Sequence, residues 1–220
     1  MMLMLVLLPA VAGAALFLTS KHPRTSVALA LAASLAHAAI AYFVCAAGTL
    51  PVCGFAPFGF TLRFSADGTA SMYLMLVSCM FPLLALYTSG LCRDRKWGGA
   101  YQLALWISLS MLDGALLADD LALMLFFWEG LLVTLFFMLL MGNAKKPGAA
   151  VKALTVSGIA DLILMLGIAI TVHCAGTARI SAINQLPIEG EGAFGFACLM
   201  AGALGKALEE YFGLTLLFSW

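Results

Sequence analysis

The chain has 220 residues, 64% of them hydrophobic and 10% charged, with a formal net charge of zero. This composition excludes an ordinary soluble domain and a nucleic-acid-binding surface, and it points to an all-α protein that crosses a membrane several times. The long apolar runs lack the short alternating segments of a β-barrel.

Residues 1–18 form the first apolar run. Its positive charges, Lys21 and Arg24, follow it rather than precede it, so it reads as a retained helix and not as a signal peptide. Residues 20–25 read as a short basic loop. Residues 26–47 read as the second helix, rich in alanine and holding His37. A histidine on such a helix reads first as a hydrogen-bonded packing residue and only second as a proton carrier. Residues 48–67 make a long connection with Pro51, Pro57 and several glycines, and its segment FGFTLRFSAD carries the pattern of a short hairpin at the membrane surface. Asp67 supplies an N-cap for a third helix that runs to about residue 91 and is kinked by Pro82. Residues 92–96 are a basic loop. The fourth helix spans residues 97–117, with Trp97 and Tyr101 at the interface and Asp113 near its far end. Asp119 and Asp120 fill a tight turn and cap the fifth helix.

That fifth helix, LALMLFFWEGLLVTLFFMLLM, is long enough to cross a hydrocarbon core of about 30 Å. It carries one charge, Glu129, well inside the run. A carboxylate at that depth costs roughly 2.5–3.5 kcal/mol on insertion scales. Glu129 therefore needs a partner on another helix, internal water, or a proton. The sixth helix, residues 149–175, holds Lys152 and Asp161. At nine residues' separation these point to opposite sides, about 13 Å apart along the axis, so they do not pair within the helix. Asp161 shares a face with Ser157. Residues 176–190 form a loop with Arg179 and Glu189. A seventh helix starts near residue 191 and includes Lys206.

Loop charge fixes an expected orientation. The first, third and fifth loops carry Lys21 and Arg24, then Arg93, Arg95 and Lys96, then Lys145 and Lys146, whereas the even loops are poor in basic residues. Cytoplasmic loops collect Lys and Arg. Seven crossings with the amino terminus outside follow.

The six cysteines form no C-x-x-C pair and read as small packing residues, so neither a metal nor a redox cofactor is expected. Chemistry concentrates in the four ionisable groups inside helices: Glu129, Lys152, Asp161 and Lys206. Burial disfavours the charged form of each and pairing restores it, so a carboxylate–lysine pair in a polar pocket is poised to take up and release a proton. Ser157, Thr155 and Thr134 are expected to hold bridging waters. Lys152, one turn inside its helix, also reads as a residue snorkelling to the interface. Lys206 has Glu209 and Glu210 at i+3 and i+4 as rival partners.

From Asp67 onward the sequence resembles the antiporter-like subunits of respiratory complex I, of membrane-bound group 4 hydrogenases and of multisubunit cation/proton antiporters. SADGTASMY resembles the family's D-G-L-S segment at the start of the third helix. ADDLALMLFFWEG is similar to its s-D-N-L-x-x-x-f-x-x-W-E stretch, KALTVSGIADLILMLG to its K-A-f-x-x-x-r-x-g-D-x-x-x-x-x-G stretch, and GALGKA to its G-A-x-x-K-S/A stretch. The resemblance covers residues 67–207 in order. It implies that Glu129 and Lys206 form the paired switch of a proton channel, with Asp161 and Lys152 completing the relay. It also implies that the subunit has no redox centre of its own and works with other membrane subunits in the bilayer of the plasma (inner) membrane, moving protons or Na+. Two departures stand out. Gly158 occupies the position of a family arginine, and residues after Ala207 match nothing of the family's continuation. The expected division is 1–66 as two amino-terminal helices with a connecting loop, 67–207 as the channel half, and 208–220 as a divergent tail, as in a truncated copy. The leading functional expectation is an ion-translocating subunit of a redox-driven complex of the NADH–quinone oxidoreductase or hydrogenase type. The alternative is a non-transporting membrane scaffold or remnant of such a subunit. An independent membrane enzyme lacks a nucleophile–base pair or metal signature.

Overall fold

Proline and aspartate set the helix starts. Pro23 opens the second helix, where its missing N–H costs nothing and its fixed φ suits the first turn. The Asp67 carboxylate caps the third by accepting from the Ala70 backbone N–H at 2.7 Å. The computed structural model describes residues 1–47, 53–55, 62–93, 95–142, 147–187 and 189–218; of these, the side chains of 23, 53–55, 62, 142, 147–150, 152, 153, 156 and 206–218 fall outside the description. In chain order the elements are α1 (Met2–Leu18), α2 (Pro23–Ala46), β1 (Cys53–Phe55), β2 (Leu62–Phe64), α3 (Gly68–Cys92), α4 (Gly98–Leu117), α5 (Leu121–Gly142), α6 (Pro147–Ala175), α7 (Ile180–Ile183) and α8 (Glu191–Phe218).

Among the described residues, five helical stretches are long and apolar enough to cross a bilayer: Arg24–Ala46, Gly68–Cys92, Gly98–Leu117, Leu121–Met141 and Ser157–Ala175. Met2–Leu18 and Glu191–Gly205 are shorter apolar helices. Their outward faces present bare apolar side chains, among them Val11, Leu76, Leu83 and Leu162, as lipid-facing surfaces do. The protein is an all-α, multi-pass membrane bundle.

Three local details differ from the sequence reading. The second helix begins at Pro23, three residues early, because proline favours the first helical position. The hairpin pairs Cys53 with Phe64, Gly54 with Arg63 and Phe55 with Leu62. Its second strand thus falls in FGFTLRFSAD but its first precedes that segment, and residues 58–61 lie outside the described ones. The loop after α6 contains the short helix α7, which nothing in its mixed composition announces.

Helices α1 to α4 form a closed ring. α1 packs on α2, α2 on α3, α3 on α4, and α4 back on α1. Two apolar clusters fill the ring at different heights. One holds Leu5, Ala41, Val44, Leu74 and Leu117 and extends to Phe64 of the hairpin and Phe127 of α5. The other holds Leu16, Ala30, Phe81, Ala85 and Trp106, with Phe81 and Trp106 edge to face at 4.9 Å. Between them in the sequence of every helix lie buried residues of a different kind: Pro9 on α1, Ser34 and His37 on α2, Ser78 on α3, Ser110 and Asp113 on α4.

α5 packs on the outside of this ring against α4, and α6 packs on both α5 and α8. The α6–α8 contact is built on small residues. A Cβ added at Gly202 would lie 2.8 Å from the Leu164 backbone nitrogen, and one at Gly167 would lie 2.6 Å from that of Leu199. Such close backbone approach is the usual way for helices to gain packing energy in lipid, where no hydrophobic drive holds them together.

Candidate ion-handling site

The turn between α4 and α5 positions the site. Asp120 caps α5, its Oδ1 accepting from the backbone N–H groups of Ala122 at 2.9 Å and Leu123 at 3.2 Å. Asp119, expected to share that task, instead reaches away to Ser181 of α7. The physical reason is geometric: one carboxylate satisfies the free amides of the first turn, so its neighbour, pointing the other way, is available for another element. The surrounding backbone joins in. The Ser65 N–H donates to the Leu117 carbonyl, the Asp119 N–H to the Arg63 carbonyl, the Leu121 N–H to the Ala178 carbonyl and the Ile180 N–H to the Asp119 carbonyl. The hairpin, the α4–α5 turn and the α6–α7 connection are thus tied at one end of the bundle.

From that end, Glu129 lies eight residues along α5, about 12 Å at 1.5 Å per residue. It is partly buried, with Trp128 beside it in sequence, and both have interaction partners. Asp161 sits on α6 and is 5% exposed; Ser157, one turn earlier on the same face, is 3% exposed. Asp161 likewise has a partner. The expected common face of Ser157 and Asp161 is therefore the buried face of α6.

The other expected water holders turn elsewhere. The Thr155 hydroxyl is exposed and donates to the Val151 carbonyl at 2.9 Å, and Thr134 is held against α4, where it accepts from the Ser108 hydroxyl at 2.7 Å. Short hydroxyl side chains on helices commonly bond the preceding turn or a facing hydroxyl, and both do so here. The side chains of Lys152 and Lys206 fall outside the described residues, and so does the expected Glu129–Lys206 pair. The backbone still gives a register. Gly195 faces Thr171, Gly202 faces Leu164 and Gly205 faces Ala160, so α8 runs antiparallel to α6 with position 206 opposite positions 159 and 160, less than a turn from position 161.

One ionisable pair escaped the sequence reading. His37 and Asp113 lie with Nε2 and Oδ2 2.7 Å apart, both with fully buried side chains. They are 76 residues apart, and each alone reads as an ordinary packing or terminal residue; the one available signal was a charge near the end of an otherwise apolar fourth helix.

Residues 118–213 match the model of a family described as NADH:quinone oxidoreductase/Mrp antiporter, TM. No curated protein matches the chain. Among solved structures, the Mrp complex from Dietzia sp. DQ12-45-1b contains a chain 22% identical, with a TM-score of 0.81, covering 94% of this chain and 23% of that one. Respiratory complex I from Thermus thermophilus with bound NADH gives 18% identity and a TM-score of 0.74, covering 91% and 43%. The membrane-bound sulfane sulfur reductase, an archaeal respiratory membrane complex, gives 17% and 0.71, covering 90% and 32%. The chain spans less than half the length of each of these. Residues 118–213 are thus similar to the NADH:quinone oxidoreductase/Mrp antiporter membrane family, and the chain shares its fold over at least 90% of its length with subunits of these three membrane complexes.

Proposed function

We propose that this chain is an ion-translocating subunit, moving protons or Na+ within a multisubunit membrane complex of the complex I, hydrogenase or Mrp type in the plasma membrane. Glu129, Asp161, Lys152 and Lys206 carry the charge relay, within a channel half spanning residues 67–207; residues 1–66 precede it and residues 208–220 form its divergent tail. The observation that supports this most is the burial of Asp161 and Ser157 on the helix that contacts both α5 and α8, inside the family-matched stretch. A carboxylate placed there is costly to insert and is retained where charge has to move. The nearness in register of positions 161 and 206 supports a second route for the lysine proton beside the Glu129 switch.

The test is flux. In inverted vesicles carrying the full chain with its complex, Glu129→Gln and Asp161→Asn should each lower proton uptake by about tenfold or more, the equivalent of about 1.4 kcal/mol on the translocation barrier. Membrane level and helix content should hold. Normal flux in both variants with impaired recovery of partner subunits would favour the scaffold reading.

A further inference from the structure

The ring of α1 to α4 has two diagonals, and His37–Asp113 lies on one of them. α2 and α4 are not extensive neighbours among the described residues; each packs instead on α1 and α3. The 2.7 Å contact between His37 and Asp113 therefore runs through the middle of the ring, in the polar layer between its two apolar clusters. Both side chains are 0% exposed. Among the described residues, the other ends of the pair, His37 Nδ1 and Asp113 Oδ1, have no hydrogen-bond partner, and neither does the hydroxyl of Ser78, which is 1% exposed on α3.

We propose that His37 and Asp113 form a proton-binding site in the amino-terminal ring, separate from Glu129 and outside the stretch that matches the family. With the imidazole neutral and Nε2–H donating to Oδ2, the site carries one buried negative charge and its Nδ1 is an open acceptor. Uptake of one proton at Nδ1 gives an imidazolium–carboxylate pair with no net charge. No other bond changes. In a low-dielectric centre that neutralisation is the strongest available driving force for taking up a cation, and the open acceptor on the ring is built for a proton.

The elements packed around this centre carry other titratable groups. α1 contributes no titratable side chain. Tyr73, Cys79 and Tyr87 of α3 are exposed, and Asp67 and Cys92 stand at its two ends; on α2, Arg24 and Tyr42 are exposed and Cys45 is partly buried. On α4, Tyr101 lies twelve residues from Asp113, about 18 Å along the axis. α5, packed on α4 outside the ring, contributes Glu129. Gly114 faces Phe127 and Gly130 faces Met111, so Glu129 stands near the level of Asp113 on the neighbouring helix and is the acid closest in register to the pair.

The chain has three histidines, His22, His37 and His173, and the other two are exposed. Ring-nitrogen NMR of the full chain in lipid vesicles, carrying His22→Gln and His173→Gln, therefore reads His37 alone. Nδ1 should gain a bonded proton as the buffer pH is lowered, and Asp113→Asn should abolish the doubly protonated signal. A ring with one unchanging protonation state in the unsubstituted pair would overturn the proposal and leave a static clamp between α2 and α4. A doubly protonated signal that persists in Asp113→Asn would overturn it as well. If that variant fails to fold, as circular dichroism would show, the titration with Asp113 intact decides alone. Exchanging potassium for sodium should leave the signal unchanged; displacement of the proton by sodium would also overturn it.

Discussion

Asp119 holds Ser181 with both carboxylate oxygens: Oδ1 accepts from the Ser181 backbone N–H at 2.9 Å and Oδ2 from its hydroxyl at 3.0 Å, across 62 residues of chain. Asp119 is 4% exposed, so neither bond is exchanged freely for water. Asp119→Ala should destabilise the bundle by about 1.5–3 kcal/mol, the range for hydrogen bonds to a charged group. Asp119→Asn keeps one accepting oxygen and should lose less than Asp119→Ala. Thermal unfolding in detergent measures both; equal stability in all three proteins would show that the α5 and α6 cores align without this clasp.

The α6–α8 seam makes the second prediction. A methyl group at Gly202 would sit 2.8 Å from the Leu164 nitrogen and 2.9 Å from its Cα, and backbone atoms have little room to yield. Gly202→Ala should cost about 1–3 kcal/mol through overpacking. Gly158→Ala, with nothing within 4 Å, should instead be neutral or stabilising by up to about 1 kcal/mol through helix propensity. Measured unfolding midpoints of the two variants should move in opposite directions or, at the least, differ clearly.

Lys206 has two candidate acids on other helices, Glu129 and Asp161, and a double-mutant cycle separates them. Position 206 stands less than a turn from the level of position 161 across the glycine-lined seam. Combining Lys206→Gln with Asp161→Asn should therefore give a smaller loss of proton flux than the product of the single losses, and the same holds for Glu129→Gln if the expected switch pair forms. Coupling of 0.5 kcal/mol or more, roughly, marks a direct or water-bridged neighbour. Multiplicative losses with both acids would remove Lys206 from the relay.

Orientation is tested at the α5–α6 connection. The basic residues Lys145 and Lys146 place that loop on the cytoplasmic side if seven helices cross with the amino terminus outside. Asn143→Cys in a background lacking the native cysteines should be labelled by a membrane-impermeant reagent only after cells are opened. Labelling from outside would invert the topology.

Much of this fold is written in local chemistry. The spans α3 to α6 lie within about two residues of the apolar runs because punctuation brackets them: Asp67 bonded to the Ala70 amide, the Asp119–Asp120 turn, and the GNAKKPG connection. Burial of Asp161 with Ser157 followed from a four-residue spacing. What escaped were relationships between distant segments. Nothing near His37 names Asp113, and nothing near Asp119 names Ser181; each pair is fixed by how helices stack rather than by local propensity. The short helix α7 escaped for a similar reason, since its first turn is held by Asp119 from across the bundle.

That clasp has a mechanical consequence. α6 and α8 are locked backbone to backbone along their length, while α5 meets α6 more sparingly, chiefly through Leu121, Leu164 and Ile168 and the α7 residues Ile180 and Ile183. The helix contacts group the protein into two slabs, α1–α5 and α6–α8, joined by hydrogen bonds near Asp119 and Ser181. If one slab rocks on the other, that join stays nearly still and every other point moves in proportion to its distance from it. Glu129 stands about 12 Å from the start of α5 at Leu121, and Asp161 about 21 Å from the end of α6 at Ala175. The two acids thus ride on lever arms of unequal length, and a slight rotation at a two-residue fulcrum becomes a change in spacing between buried charges.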